Sequence, residues 1–197
     1  MKKIITFSVL ITVSLISFKF KVNNIYKEGD IIFQTTSGLT GKAIQLATHS
    51  KYNHCGVLFF ENNEWIVYEA VQPVRKTSLK EFNARGEGVV KRLKNKVLTS
   101  DEISKLKTVF KIYEHKDYDE AFSWSDERIY CSELVYKLYN NGLNIELCKP
   151  KSLKEFDLTN PLVKEKLNEK YGNKIPLNEL MVSPEDIYKS SLLIDVK

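Results

Sequence analysis

Ile129-Tyr130-Cys131-Ser132-Glu133-Leu134-Val135 opens a short amphipathic helix, and the rest of the chain is read outward from it. Leu134, Val135 and Leu138 recur at helical spacing with Tyr139 beside them, and Asn141-Gly142 reads as the stop. Cys131 then falls in the first helical turn. Backbone N–H groups there have no partner within the helix, and the dipole is positive, so a thiolate is stabilised. Cysteines so placed reach pKa values of roughly 3.5–7.5. A buried, inert cysteine at a helix start fits the same residues. What separates the two readings lies upstream.

Cys55 to Phe60 and Trp65 to Val71 are strand-like runs flanking Glu61-Asn62-Asn63-Glu64, the clearest hairpin in the chain. A two-residue Asn62-Asn63 turn sets Phe60 opposite Trp65, Leu58 opposite Val67, Gly56 opposite Glu69 and His54 opposite Val71. Side chains alternate with period two, so His54 and Glu69 project from one face as diagonal neighbours. A carboxylate beside a histidine fixes its tautomer and stabilises the imidazolium. Cysteine, histidine and glutamate are the residue types that thiol hydrolysis needs. Alternation turns Cys55 to the other face, so Cys55 is expected to be structural. Blander readings exist: His54 as a strand cap, and Glu69 as a solvent-facing strand residue. His49, His54 and Cys55 match no zinc spacing and show no fourth ligand, so no metal or other cofactor is expected.

Around this pair the chain reads as short strands and helices. Ile31 to Phe33 and Val89 to Leu93 are further strands, and Lys42 to Thr48 and Leu79 to Asn83 short helices. Thr99 and Glu102 form a capping box before a helix whose apolar face is Ile103, Leu106, Val109, Phe110 and Tyr113. After Gly142 the chain is polar and helical in pieces, divided by prolines. Ser183-Pro184 starts a last capped helix. Gln34, Thr35, Tyr52 and Arg128 stand near the motifs as candidates to line a pocket.

Residues 1–20 stand apart. Lys2 and Lys3 precede an apolar run from Ile4 to Phe18, the layout of a secretory signal peptide and short for a span of ~20 residues. An uncleaved N-terminal anchor is the alternative, and residues 21–197 are the expected hydrolase domain. The protein is then exported, to the periplasm or the extracellular space, with no further strong membrane association. The formal charge of +5 includes Lys2, Lys3 and Lys19, and without them is too small to argue for nucleic acid. Three cysteines leave at least one thiol free. A Cys131–Cys148 disulfide would silence Cys131 and remains open at this level.

Gly29-Asp30-Ile31-Ile32-Phe33, Lys42-Ala43-Ile44-Gln45-Leu46-Ala47-Thr48, Tyr52-Asn53-His54-Cys55-Gly56, Tyr68-Glu69-Ala70 and Tyr130-Cys131-Ser132-Glu133-Leu134-Val135 together resemble the YiiX/YebB-like family. That family is a circularly permuted papain-like branch of the NlpC/P60 cysteine hydrolase superfamily, in which the histidine strand precedes the cysteine helix. The resemblance runs from about Gly29 to Gly142 and resumes from Val182 to Leu193, whereas Asn144 to Gly172 matches nothing. It implies an α+β fold with a small antiparallel sheet against helices. It also implies Cys131 as nucleophile, His54 as base and Glu69 as orienting residue. The implied activity is an exported amidase or peptidase acting on a peptide or other amide, cell-wall peptides included. Two alternatives are an acyltransferase or lipid esterase of the same fold, and a binding module without catalysis. An acyl-sized apolar groove beside Cys131 would favour the first, and a disulfide-bonded Cys131 the second.

Overall fold

The computed structural model describes residues 25–196, so the expected signal peptide or anchor at 1–20 lies outside the described residues. Eight strands and six helices follow in chain order. They are β1 (Ile31–Gln34), α1 (Leu39–Thr48), β2 (His54–Glu61), β3 (Glu64–Glu69), β4 (Arg75–Ser78), α2 (Leu79–Asn83) and β5 (Gly88–Leu93). Then come α3 (Ser100–Tyr113), α4 (Cys131–Leu143), β6 (Lys151–Ser152), α5 (Pro161–Tyr171), β7 (Leu180–Met181), α6 (Pro184–Tyr188) and β8 (Leu193–Asp195). Six strands make one antiparallel sheet in the order β4-β3-β2-β1-β5-β8, and β6 and β7 pair separately. This is the mixture of helices and antiparallel sheet that the resemblance implied.

The β2–β3 hairpin has the register the turn residues dictate. Asn62 and Asn63 both take positive φ, 49° and 67°, as a two-residue turn with the strands' own twist requires. Phe60 pairs with Trp65, Leu58 with Val67 and Gly56 with Glu69. The strand β3 stops at Glu69, two residues before the expected end at Val71.

Alternation divides the sheet residues between two cores. Ile31, Phe33, Cys55, Val57, Phe59 and Tyr68 pack under α3 and α4. Ile32, Leu58 and Val67 face the other way, onto Phe82 of α2 and Val90. The helix α4 is buried at every position from Cys131 to Tyr139, as befits a helix enclosed by protein on all sides. It runs past the expected stop, and its C-cap is Asn144 in the left-handed region. Gly142 is therefore a helical residue. A Cβ there would stand 3.3 Å from Leu106 Cδ2, so its lack of side chain lets α4 approach α3 closely. The Thr99–Glu102 capping box starts α3 as the sequence indicated.

The region without resemblance, after Gly142, supplies β6 and α5. The latter packs on α1, and the segment before it is tied down by Asp157 N–H donating to Ala47 O. No helix among the described residues is long and apolar enough to cross a membrane.

Candidate active site

The helix α4 begins at Cys131 itself, with Tyr130 as N-cap and no side chain capping the turn. First-turn N–H groups are thus left for a thiolate or an oxyanion. Cys131 is buried, and so is His54, the first residue of β2. His54 Nε2 lies 2.6 Å from Glu69 Oε2, and Glu69 is wholly enclosed. With Nε2 engaged by Glu69, Nδ1 is the ring nitrogen left to serve Cys131, whose charge acts on His54. Phe82 stacks on the imidazole at 5.7 Å between ring centres. The structure thus brings the three sequence-predicted groups together, with His54 bonded to Glu69 and Cys131 near enough for the two charges to act on each other.

The charges of these three groups are set by one another. Cys131 is held well below the ordinary thiol value, first by the Cys55 thiol, then by His54 and the Cys55 N–H, against the opposing cost of burial. Burial would lower His54, but hydrogen bonds and charge from Cys131 and Glu69 outweigh it and raise it to about 9. For Glu69, burial works upward and is overcome by His54, Arg85 and Thr77, leaving it at about 2. Both shifts favour a thiolate beside an imidazolium, with the proton on His54.

Cys55 is buried in the core, as expected of a structural cysteine, and also neighbours Cys131. Alternation does turn it to the face opposite Glu69, yet α4 packs on that face and brings Cys131 with it. Burial first, and then Cys131, holds the Cys55 thiol protonated, and that thiol in turn favours the Cys131 thiolate. Tyr118 is a second neighbour. Burial first, and then the charge on Cys131, raises its hydroxyl, and a bridge between Tyr118 and Ile129 places it there. Neither contact is local in sequence. The Cys131–Cys148 disulfide does not form, since all three cysteines are free.

Beside Cys131 lies a cavity of about 360 Å³. Ala43 and Ile44 of α1, Val163 and Leu167 of α5, and Leu153 and Val182 give it a mainly apolar wall, and Ser132 also borders it. Lys170 of α5 closes one side by pairing with Glu120 at 3.2 Å, and Tyr171 donates to Ala121 O. None of Gln34, Thr35, Tyr52 and Arg128 lines this cavity, whereas Asn53 does. Gln34 is spent on Phe82 O at 2.7 Å, and Tyr52 packs between Phe33 and Tyr188.

Two further residues escaped the sequence reading. Arg85 Nη2 contacts both oxygens of Glu69, at 2.6 and 2.8 Å. Glu133, in the first turn of α4, is enclosed beside Lys137. The four-residue offset of Glu133 and Lys137 is the one local signal that could have found Glu133, but nothing local signals Arg85.

Known proteins share this arrangement of sequence and fold. Residues 25–196 match the family described as permuted papain-like amidase enzymes, YaeF/YiiX, C92 family. The uncharacterized protein YiiX of Escherichia coli (strain K12) is 46% identical over 171 residues, which cover 85% of this chain and 84% of that protein. The crystal structure of metalloprotein YiiX from Escherichia coli O157:H7 aligns with a TM-score of 0.83 at 47% identity. That alignment covers 87% of this chain and 96% of the other. The word metalloprotein describes that relative. Here, among the described residues, no group of three or more His, Cys, Asp or Glu side chains is placed to hold a metal ion.

Proposed function

The chain belongs to the permuted papain-like amidases of the YaeF/YiiX, C92 family, and from that premise we propose an exported cysteine amidase or peptidase with Cys131, His54 and Glu69 as its catalytic groups. The observation that carries this reading is Cys131 beside His54 with His54 bonded to Glu69 at 2.6 Å. The Cys131 thiolate attacks an amide carbonyl. The developing oxyanion takes the Cys131 N–H at the uncapped start of α4. His54 then gives its proton to the leaving amine, and the amine departs. A water, deprotonated by the now neutral His54, cleaves the acyl–sulfur bond and restores the thiolate. Throughout, Glu69 keeps Nε2 engaged and so presents Nδ1 to the sulfur.

Peptides and peptidoglycan fragments are the substrates to try first, by mass spectrometry after incubation with wild type and Cys131→Ala. New fragments with wild type alone support the proposal. Identical spectra across a wide amide panel count against it.

A second reading has its own support. The cavity beside Cys131 is mainly apolar and large enough for an acyl chain of moderate length. The same thiolate can take an acyl group from an ester as readily as from an amide. Acyl-enzyme formed from lipid esters, with none from peptides, would move the assignment to an esterase or acyltransferase. Export rests on residues 1–20, and N-terminal sequencing of fractionated cells tests it.

A further inference from the structure

Glu69 forms two ion pairs among the described residues, one with His54 and one with Arg85. A single Arg85 nitrogen, Nη2, reaches both carboxylate oxygens. The guanidinium also stands 5.1 Å over the Phe82 ring, which stacks on His54 as well. Arg85 follows α2, and its turn is held from several sides. Its N–H donates to Phe82 O. Gln34, the β1 residue paired with His54, donates from Nε2 to Phe82 O and to Gly86 O. Gly86 takes a φ of +152°, and a Cβ there would stand 2.4 Å from Thr35 O, so the turn closes on the chain after β1 only with glycine. The effect of these contacts is to hold one cation against the carboxylate that orients His54.

We infer that Arg85 is a positioning residue of this site: its guanidinium locks the Glu69 carboxylate against His54 and shares the charge that the imidazolium would otherwise compensate alone. The inference rests on the reading of His54 as the base of Cys131. A wholly buried carboxylate with one cationic partner would grip that partner's proton hard. Yet His54 must release its proton to the leaving group in every turnover. Arg85 relieves this conflict. It keeps Glu69 charged and aligned whether or not His54 is protonated. It acts through Glu69 and has no need to touch substrate.

The test needs no substrate. Ring ¹⁵N resonances of His54 are followed by NMR from about pH 5 to about pH 11 to bracket its titration. His49 and His115 are exposed and serve as internal references. Glu69→Gln should lower the His54 midpoint, because the imidazolium loses its anion. Arg85→Met should raise it by about one pH unit, because a nearby positive charge is gone. Arg85→Gln keeps one donor to Glu69 and should raise it by less. In a Glu69→Gln background, Arg85→Met should move the midpoint far less than in wild type, since its partner is absent. An Arg85→Met midpoint at or below that of wild type overturns the inference. If that variant does not fold, Arg85→Gln is read by the same rule. If Glu69→Gln leaves His54 unmoved, the orienting role of Glu69 fails first, and the role of Arg85 fails with it.

Discussion

Cys131 differs from the other two cysteines by its surroundings, and that difference is measurable. Its thiolate is favoured by Cys55 and His54, while burial pushes Cys148 up to about 12 and also holds Cys55 protonated. Iodoacetamide at mildly acidic pH should therefore label Cys131 well before Cys55 or Cys148, as read by peptide mapping. Equal labelling of all three in the folded protein would show that the thiolate is not selectively stabilised. Cys55 sharpens the test. Cys55→Val keeps the apolar volume but removes the S–H donor, so the pH midpoint for Cys131 labelling should rise while the fold survives. An unchanged midpoint would return Cys55 to a purely structural role. The three groups proposed as nucleophile, base and orienting acid were legible because helix start and hairpin register are local properties. The help from Cys55, Tyr118 and Arg85 was not, because it arises where separate elements meet. Strand alternation placed Cys55 on its true face but could not say that the helix bearing Cys131 packs on that same face.

At the scale of elements, the hairpin was readable to the residue because Asn62-Asn63 fixes its register. The end of α4 was misread because glycine serves both to stop helices and to let them pack. Gly142 does the second. Leu106 N and Cα lie 3.5 and 3.6 Å from where its Cβ would sit, so α3 leaves no room for a larger side chain. Gly142→Leu should cost about 1–3 kcal/mol by overpacking, read as a lower urea midpoint with unchanged slope. Gly142→Ala should be far milder, since the nearest atom is the end of the Leu106 side chain and alanine favours helix. Equal stability of the leucine variant would mean that α3 and α4 can separate at no cost. The helix α5 was illegible for another reason. Its residues from Pro161 to Tyr171 are mostly polar and bury only Val163, so periodicity is weak. Its importance comes from its position over the cavity rather than from a core of its own.

At the scale of the molecule, the fold carries charges inside it, and their protons tie stability to pH. Glu69, held at about 2, stabilises the folded state above its ordinary value of 4.5, and that contribution is lost as pH falls toward 2. His54, raised to about 9, stabilises fully below 6.5, and that contribution is lost as pH rises through 9. Glu133 acts in the opposite sense to Glu69. Burial outweighs its contact with Lys137, whose Nζ lies 2.8 Å away and also serves Ser125 O and Asp126, and raises it to about 7. Between pH 4.5 and 7 the folded protein therefore holds a proton that the unfolded chain has released. The Glu133 contribution to stability must fall with rising pH across that window, by on the order of 3 kcal/mol. Glu133→Gln keeps the size and removes the titration. Urea unfolding at steps between about pH 4.5 and about pH 7.5, spanning the titration, should show wild type losing ground to Glu133→Gln as pH rises. Glu69 and His54 are common to both proteins and cancel in the difference. Two curves that run parallel across this range would mean that Glu133 is already ionised in the folded state, with Lys137 supplying full compensation.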